Sequence, residues 1–117
     1  MTTAQVAERL VNLCREGKFE DAQVELYADD ALSTEPDGGT LKTATSKQAV
    51  IESGRQFRAS LDAVHGLAIS DPIITGAVFA VTFALDADFN GSGRGLFEEI
   101  CSFKVADGKI VKASYLY

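Results

Sequence analysis

The sequence predicts an α+β protein in which three N-terminal helices pack on a curled antiparallel β-sheet. Two observations support this prediction. In the first half of the 117-residue chain, apolar residues recur at the three- and four-residue spacing of helices. After position 65 they alternate with a period of two, as in strands. Helices followed by a run of strands are typical of a helical layer on one face of a sheet, and the length predicts one domain spanning residues 1–117.

The first two helices are predicted from capping residues and apolar spacing. Thr2 and Gln5 have the spacing of a capping box, in which each side chain bonds the backbone of the other residue. Apolar residues then follow at helical intervals: Val6, Leu10, Leu13 and Cys14. Gly17 can adopt the left-handed conformation that ends a helix. A second, short helix is predicted from Lys18 to about Leu26.

An extended segment is predicted at residues 31–35, followed by a turn at 36–39. Residues 45–48 repeat the capping-box spacing, which predicts a third helix running from there to about Leu61. Its apolar stripe comprises Val50, Phe57, Leu61 and Val64. Gly54 lies inside this helix, where a glycine can let another backbone come close.

The strands are predicted to turn their odd-numbered residues toward the helices, because this set is the bulkier one. Its members are His65, Leu67, Ile69, Phe79, Val81, Phe83, Leu85, Phe97, Glu99, Cys101, Phe103, Val105, Val111, Ala113 and Tyr115. Asp71–Pro72 should end or bend the first strand, because proline cannot donate to the ladder. The glycine-rich residues 91–95 and the pair Asp107–Gly108 are predicted hairpin turns.

The other sheet face carries smaller residues: Val78, Ala80, Thr82, Ile100, Ser102, Ser114 and Leu116. A semi-apolar face of this kind favours a homodimer formed through the outer side of the sheet. The alternative is a face that is simply solvated.

Composition excludes several classes of function. A formal net charge of -6 argues against nucleic-acid binding, because no basic surface is available for the phosphates. The eleven Lys and Arg residues are scattered, and no apolar run is long enough to cross a bilayer, so no membrane contact is expected. The N-terminus lacks the layout of a signal peptide, which predicts a cytoplasmic location. Two separate cysteines predict free buried thiols, and a single histidine argues against a metal site. No cofactor motif is present.

Two stretches carry a resemblance to a known superfamily. Residues 27–31 (YADDA), followed by Glu35-Pro36, resemble the helix-to-strand junction of ketosteroid isomerases and their SnoaL-like relatives. Residues 103–111 (FKVADGKIV) are similar to the final hairpin of the same superfamily. With the order of helices and strands, the resemblance covers nearly the whole chain. It implies the nuclear transport factor 2-like, or cystatin-like, cone, in which a curled sheet and helices enclose a cavity for a small molecule.

The resemblance also implies roles for single residues. In ketosteroid isomerases the carboxylate just before that proline is the general base, and the matching residue is Glu35. The oxyanion hole of those enzymes uses a tyrosine and a protonated aspartic acid, and the matching positions hold Leu10 and Cys101. A thiol is a weak donor and leucine is none, which argues against steroid isomerisation by that mechanism. Many SnoaL-like cyclases carry their acid/base aspartate at the Cys101 position, so the same departure argues against that activity.

Three titratable residues are the candidate catalytic groups: Glu35, His65 and Glu99. Desolvation beside a proline can raise the pKa of Glu35, although a surface-loop glutamate is the alternative. Glu99 is predicted to face inward, where His65 can join it in an acid/base pair. The alternatives are a histidine at the core or the rim, and an ion pair of Glu99 with Arg55 or Arg58.

A second group of residues is predicted to contact a ligand. It comprises Tyr27, Phe57, Phe79, Phe83, Phe97, Cys101 and Tyr115. Tyr27 and Tyr115 can donate hydrogen bonds to a carbonyl oxygen, although plain aromatic packing is the commoner role. The phenylalanines likewise suit either a core or the wall of a ligand cavity.

Two hypotheses of function follow. The first is a cofactor-independent isomerase, cyclase, dehydratase or hydrolase that acts on a small apolar carbonyl compound, with Glu35 as base. The second is a non-catalytic module that binds an apolar ligand or acts as a dimeric interaction domain.

Overall fold

The computed structural model describes residues 1–36 and 43–117, and it contains three helices and six strands within them. In chain order these are α1 (Thr3–Arg15), α2 (Phe19–Leu26), β1 (Tyr27–Thr34), α3 (Lys47–Ala59), β2 (Leu61–Ile69), β3 (Ile73–Thr75), β4 (Val78–Phe89), β5 (Gly93–Ala106) and β6 (Lys109–Leu116). The predicted α+β class is confirmed. The turn expected at 36–39 lies, from residue 37 onward, outside the described residues.

The start of α1 follows the sequence prediction closely. The Thr2 hydroxyl accepts from the Gln5 backbone N–H at 3.1 Å, and the Gln5 side chain accepts from the Thr2 backbone N–H at 2.8 Å. This reciprocal capping box satisfies two N–H groups that lack partners within the helix. Gly17 follows the helix with a φ of 76°, as the C-terminal cap requires.

Helix α3 begins one residue later and ends earlier than the spacing predicts. Ser46, not Thr45, is the N-cap, and its hydroxyl accepts from the Ala49 backbone N–H at 3.1 Å. The helix ends at Ala59, so Leu61 and Val64 belong to strand β2 rather than to the helical stripe.

The sheet has the strand order β1-β6-β5-β4-β2, with β3 also pairing with β4. Pairs β2–β4, β3–β4, β4–β5 and β5–β6 are antiparallel, whereas β1 and β6 run parallel. No hairpin connects β1 to β6, so no turn imposes an antiparallel direction on this pair. The sheet is therefore mixed, with one parallel pair added at its edge.

The predicted alternation holds along β4 and β5 but is interrupted in β2 and β6. Register shifts lie between Val64 and Gly66 in β2, and opposite Lys104–Val105 in β6. A bulge of this kind inserts one residue, so the inward-facing side chains are even-numbered before it and odd-numbered after it, as with Ile110 and Ala113 in β6. The predicted inward position of Val111 is therefore wrong. Its neighbour Ile110 is the fully buried residue.

The hydrophobic core lies between α1 and the inner face of the sheet. Its largest fully buried side chains are Phe79, Leu26, Ile110 and Val6. Helices α2 and α3 pack against each other, and α3 also contacts β1 and β2. The helices thus cover the concave side of the sheet and leave room next to the core.

The β5–β6 connection is the two-residue turn that the sequence predicts. Asp107 and Gly108 have φ values of 51° and 74°, as a type I′ turn requires. Within the described part of the chain, no helix has the length and apolar character to cross a membrane.

Candidate functional site

A cavity of about 460 Å³ lies between the helices and the concave face of the sheet. This volume falls within the range of roughly 300–1,000 Å³ that is typical of small-molecule sites. Most of the wall is apolar and includes Leu10, Val11, Val50, Phe57, Leu61, Val64, Leu67, Ile69, Val81, Phe83, Leu85, Phe97 and Phe103. The few polar side chains in this wall therefore dominate its chemistry.

Glu35 is one of these polar side chains. It follows β1 directly, is half-buried, and accepts a hydrogen bond from the Tyr117 hydroxyl at 3.1 Å. Burial raises the pKa of Glu35, and the hydrogen bond from Tyr117 partly offsets that rise. Burial, followed by the nearby Glu35 charge, raises the pKa of Tyr117 to about 12, so its hydroxyl keeps its proton. Tyr117 was not among the predicted site residues, although it lies two residues beyond Tyr115 at the end of β6.

Glu99 lies on β5 and lines the same cavity, as its strand position predicts. Burial raises its pKa to about 7. The Cys101 thiol donates to Glu99 Oε1 at 3.4 Å and lowers the pKa slightly, whereas the negative charge of Glu35 raises it. The charge of Glu35 therefore acts on Glu99 across the cavity.

The predicted pair of Glu99 with His65 does not form, and the inward position of His65 is wrong. The bulge after Val64 places Val64 in the cavity wall, and His65 contacts Asp88 Oδ1 through Nε2 at 2.9 Å. Asp88 is an even-numbered residue of β4, on the outer side of the sheet. His65 is therefore a surface residue beside an acidic partner.

The alternative ion pair of Glu99 with Arg55 or Arg58 is also not observed. Arg55 binds Glu20 through two contacts of 2.6 and 3.1 Å, and Arg58 reaches the same carboxylate at 3.4 Å. Glu99 is left with the weak thiol donor of Cys101 as its hydrogen-bond partner among the described residues.

Tyr27 and Tyr115 both line the cavity, and their hydroxyl oxygens lie 3.4 Å apart. Burial raises the pKa of both phenols, so both remain protonated and at least one O–H can donate to a ligand. Burial also raises the pKa of Cys101, and that of Cys14 to about 12. These two thiols are free, as predicted, and are unreactive in their protonated form.

Three of the predicted phenylalanines line the cavity, and one does not. Phe57 packs on Phe97 with ring centroids 5.7 Å apart, and Phe83 lies 6.3 Å from Phe97. Phe79 is 1% exposed, lies outside the cavity wall and stacks on Phe103 at 4.8 Å. Phe79 is therefore a core residue rather than a ligand contact, because it sits where α1 covers the sheet.

A further polar group lies on the helical side of the wall and was missed by sequence reasoning. Gln23 of α2 and Ser53, Gly54 and Arg58 of α3 all line the cavity. Gln23, Ser53 and Arg58 lie on surface helices at spacings that are typical of solvated positions. Among the described residues, no group of three or more His, Cys, Asp or Glu side chains is placed to hold a metal ion.

Comparison with known proteins gives consistent results. The SnoaL-like domain model matches residues 1–117. A protein from Mesorhizobium loti described as a candidate SnoaL-like polyketide cyclase is 27% identical, with a TM-score of 0.93 and 100% of both chains covered. A nuclear transport factor 2-like protein of unknown function from Burkholderia pseudomallei is 16% identical, with a TM-score of 0.80 over 100% of this chain and 92% of the other.

A protein of unknown function from Xanthomonas campestris, with a cystatin-like fold, is 18% identical. Its TM-score is 0.80, over 99% of this chain and 90% of the other. No curated protein matches the sequence. The fold class and the resemblance drawn from two short motifs are confirmed.

Proposed function

This chain belongs to the SnoaL-like domain family, and we propose that its cavity binds a small apolar carbonyl compound and catalyses an acid–base reaction on it without a cofactor. The reaction class is isomerisation, cyclisation, dehydration or hydrolysis, with Glu35 as the base. One observation carries the proposal. Two carboxyl groups with raised pKa, Glu35 and Glu99, share a largely apolar cavity.

The two carboxyl groups suit different roles. Tyr117 donates to Glu35 and so favours its ionised form, which can accept a proton from the carbon next to a carbonyl. Glu99, with a pKa of about 7, retains a proton on a large fraction of molecules at neutral pH and can return one to the product. Environments that separate two pKa values in this way are typical of acid–base catalysis.

The carbonyl oxygen needs a hydrogen-bond donor, because negative charge develops on it when the neighbouring carbon loses a proton. The paired hydroxyls of Tyr27 and Tyr115 are neutral donors in the cavity wall. They take the place of the donors that Leu10 and Cys101 do not supply. Hydrogen bonds from these tyrosines to the carbonyl oxygen lower the energy of the enolate that forms when Glu35 removes the neighbouring proton.

Proton exchange tests the proposal without knowledge of the natural substrate. The ketone 2-tetralone has acidic protons next to its carbonyl, and its uptake of deuterium from D₂O can be followed by proton NMR. The wild-type protein is expected to accelerate this exchange above the buffer rate. Glu35→Gln should lower the acceleration by about a hundredfold or more, as loss of a general base does.

Glu98→Gln is the matched control, because Glu98 is the exposed neighbour of Glu99 on the outer side of β5. It should leave the exchange rate unchanged. Exchange that persists in a folded Glu35→Gln variant would rule out Glu35 as the base.

A non-catalytic binding protein is the second candidate. It is favoured by Leu10 and Cys101, which line the cavity and offer a bound carbonyl no strong donor. Under this alternative, 2-tetralone binds to the wild-type protein and its exchange rate equals that in buffer.

We also propose that the protein forms a homodimer through the outer face of the sheet. Val78, Ile100 and Leu116 are exposed there by 40%, 49% and 67%. Lys104 and Lys112 lie at one end of this face, and Glu98 lies beyond Ile100 toward the other. A two-fold axis that lies in the interface at right angles to the strands brings the basic end of one copy to the acidic end of the second, so the charges favour this orientation of the two copies.

A further inference from the structure

The helical wall of the cavity contains a buried polar atom that lacks a partner. Gln23 Oε1 is buried and accepts no hydrogen bond within the described part of the chain. Buried carbonyl oxygens are rarely left in this state, because their loss of water is costly when no donor replaces it. Gln23 lines the cavity, so a rotation of its terminal amide can turn Oε1 toward a donor on a bound molecule.

Arg58 lies beside this amide and has unused donors. Its partner Glu20 is already held by Arg55 at 2.6 and 3.1 Å, and Arg58 contributes a single contact of 3.4 Å. A guanidinium carries five N–H donors, so most of those on Arg58 have no partner among the described residues. Arg58 also lines the cavity.

Gly54 leaves space for both of these polar groups. A Cβ atom at this position would lie 3.1 Å from Arg58 Nη1 and 3.4 Å from both amide atoms of Gln23. The glycine thus admits two side chains, where the sequence suggested the approach of another backbone. The acceptor of Gln23 and the donors of Arg58 converge on one part of the wall, on the helical side, whereas Glu99 lies on the sheet side.

We propose that Gln23 and Arg58 form a second polar subsite that binds a hydroxyl group of the ligand. A hydroxyl oxygen accepts from Arg58, and its proton is donated to Gln23 Oε1. A carboxylate, a ketone or an ether accepts from Arg58 but leaves Gln23 Oε1 unpaired, and an ammonium group is repelled by Arg58. This inference rests on the proposed function, and it restricts the ligand to carbonyl compounds with an alcoholic, enolic or phenolic hydroxyl on the side that faces the helices.

Three naphthalenes that share one ring system provide the test. They are 2-naphthol, 2-methoxynaphthalene, which accepts but cannot donate, and 2-methylnaphthalene, which does neither. Their affinities are measured by fluorescence titration with the wild-type chain, Gln23→Met, Arg58→Met and Arg55→Met. The wild-type protein should bind 2-naphthol about tenfold more tightly than 2-methoxynaphthalene, the effect of one buried hydrogen bond.

Gln23→Met should reduce this preference to within about twofold and leave the affinity for 2-methoxynaphthalene unchanged, since one neutral hydrogen bond is lost. Arg58→Met should weaken both oxygen-containing ligands relative to 2-methylnaphthalene. Arg55→Met, which alters the neighbouring arginine, should leave the order of affinities as in the wild type. The affinity for 2-methylnaphthalene reports that each variant is folded with its cavity intact.

Four results would contradict the proposed subsite, and they differ in whether they also contradict the proposed ligand cavity. If the wild-type protein binds 2-methylnaphthalene but does not prefer 2-naphthol, the subsite is wrong and the ligand cavity stands. If Gln23→Met keeps the preference, the hydroxyl does not donate to Gln23. Tighter binding of 2-naphthoate than of 2-naphthol, lost in Arg58→Met, would replace the hydroxyl by a carboxylate. If none of the naphthalenes binds, the subsite and the proposed ligand cavity both fail.

Discussion

Glu99 and Glu35 illustrate how position in one cavity decides the behaviour of two identical side chains. Both lose water on folding, which raises the pKa of each. Glu35 receives a hydroxyl donor from Tyr117, whereas Glu99 receives only the weak thiol donor of Cys101. The pKa of Glu99 therefore reaches about 7, and the folded protein holds its proton more tightly than the unfolded chain does.

This difference predicts how stability depends on pH. The unfolded pKa of Glu99 is near 4.5 and the folded one is about 7, so stability falls as pH rises from 4.5 to 7. Between pH 5 and pH 8 the wild-type protein should lose about 2 kcal/mol more free energy of unfolding than Glu99→Gln, allowing for partial exposure. Urea unfolding at both pH values measures the difference. Glu98→Gln should follow the wild type, and parallel curves for Glu99→Gln would contradict the assigned pKa.

Truncation to alanine should lower the free energy of unfolding by different amounts at Phe79 and at Phe83. Phe79 is 1% exposed and stacks on Phe103, so Phe79→Ala should cost about 3–5 kcal/mol of unfolding free energy. Phe83 already faces the cavity, so Phe83→Ala should cost less and mainly weaken the binding of 2-methylnaphthalene. Chemical denaturation and fluorescence titration separate the two effects. Equal losses of stability would show that Phe83 also belongs to the core.

Strand parity was sufficient to predict that Glu99, Cys101 and Tyr115 face the interior. It could not predict the depth of Phe79, because burial under α1 depends on how the helix lies across the sheet. It also failed for His65, since a single inserted residue in β2 reverses the parity. Gln23 and Arg58 were missed because a polar residue on a helix looks the same in sequence whether it faces water or a cavity.

Among the elements, α1 and the β5–β6 hairpin were predicted most closely. Each contains its own local signal: the capping box of Thr2 with Gln5, and the Asp107–Gly108 turn. By contrast, the boundary between α3 and β2 was misplaced, because the apolar spacing there fits either a helix or a strand. The parallel pairing of β1 with β6 depends on contacts between distant parts of the chain, which no local pattern encodes.

Gly108, in the β5–β6 turn, is needed both for its left-handed backbone conformation and for its close contact with the N-terminus. Gly108 has a φ of 74°, and a Cβ there would lie 3.0 Å from the Met1 backbone nitrogen. Gly91, in the β4–β5 turn, has a φ of 77° and no atom within 4 Å of the added Cβ. Gly91→Ala should therefore cost about 1–2 kcal/mol for its conformation alone.

Gly108→Ala should lower the free energy of unfolding more than Gly91→Ala does, because the added methyl group also crowds the N-terminus. Urea unfolding of the two variants gives this difference directly. Equal costs would mean that Met1 moves away freely, and the contact would then add nothing to stability.

At the scale of the whole molecule, the two faces of the sheet have separate chemistry. The concave face holds the core and the cavity, and its side chains are bulky. The convex face carries smaller, partly apolar residues, and its exposed aliphatic side chains include Val78, Ile100 and Leu116. Only the concave face is covered by helices, so the convex face is the place where a second copy can pack without disturbing the site.

The proposed dimer predicts the effect of one charge on the convex face. Ile100→Glu places a carboxylate at the centre of the face, so the variant should sediment as a monomer where the wild type sediments as a dimer. Val24→Glu is the matched control, because Val24 is 53% exposed on α2 and Ile100 is 49% exposed on β5. Sedimentation velocity should show the control unchanged.

Salt provides an independent check of how the two copies are oriented. If Lys104 and Lys112 face Glu98 of the second copy, the dimer should weaken as ionic strength rises from 0.05 to about 0.5 M, because salt screens exposed charge pairs. A dimer that survives Ile100→Glu would use another surface. A dimer that is indifferent to salt would keep the convex face but rule out the antiparallel charge pairing.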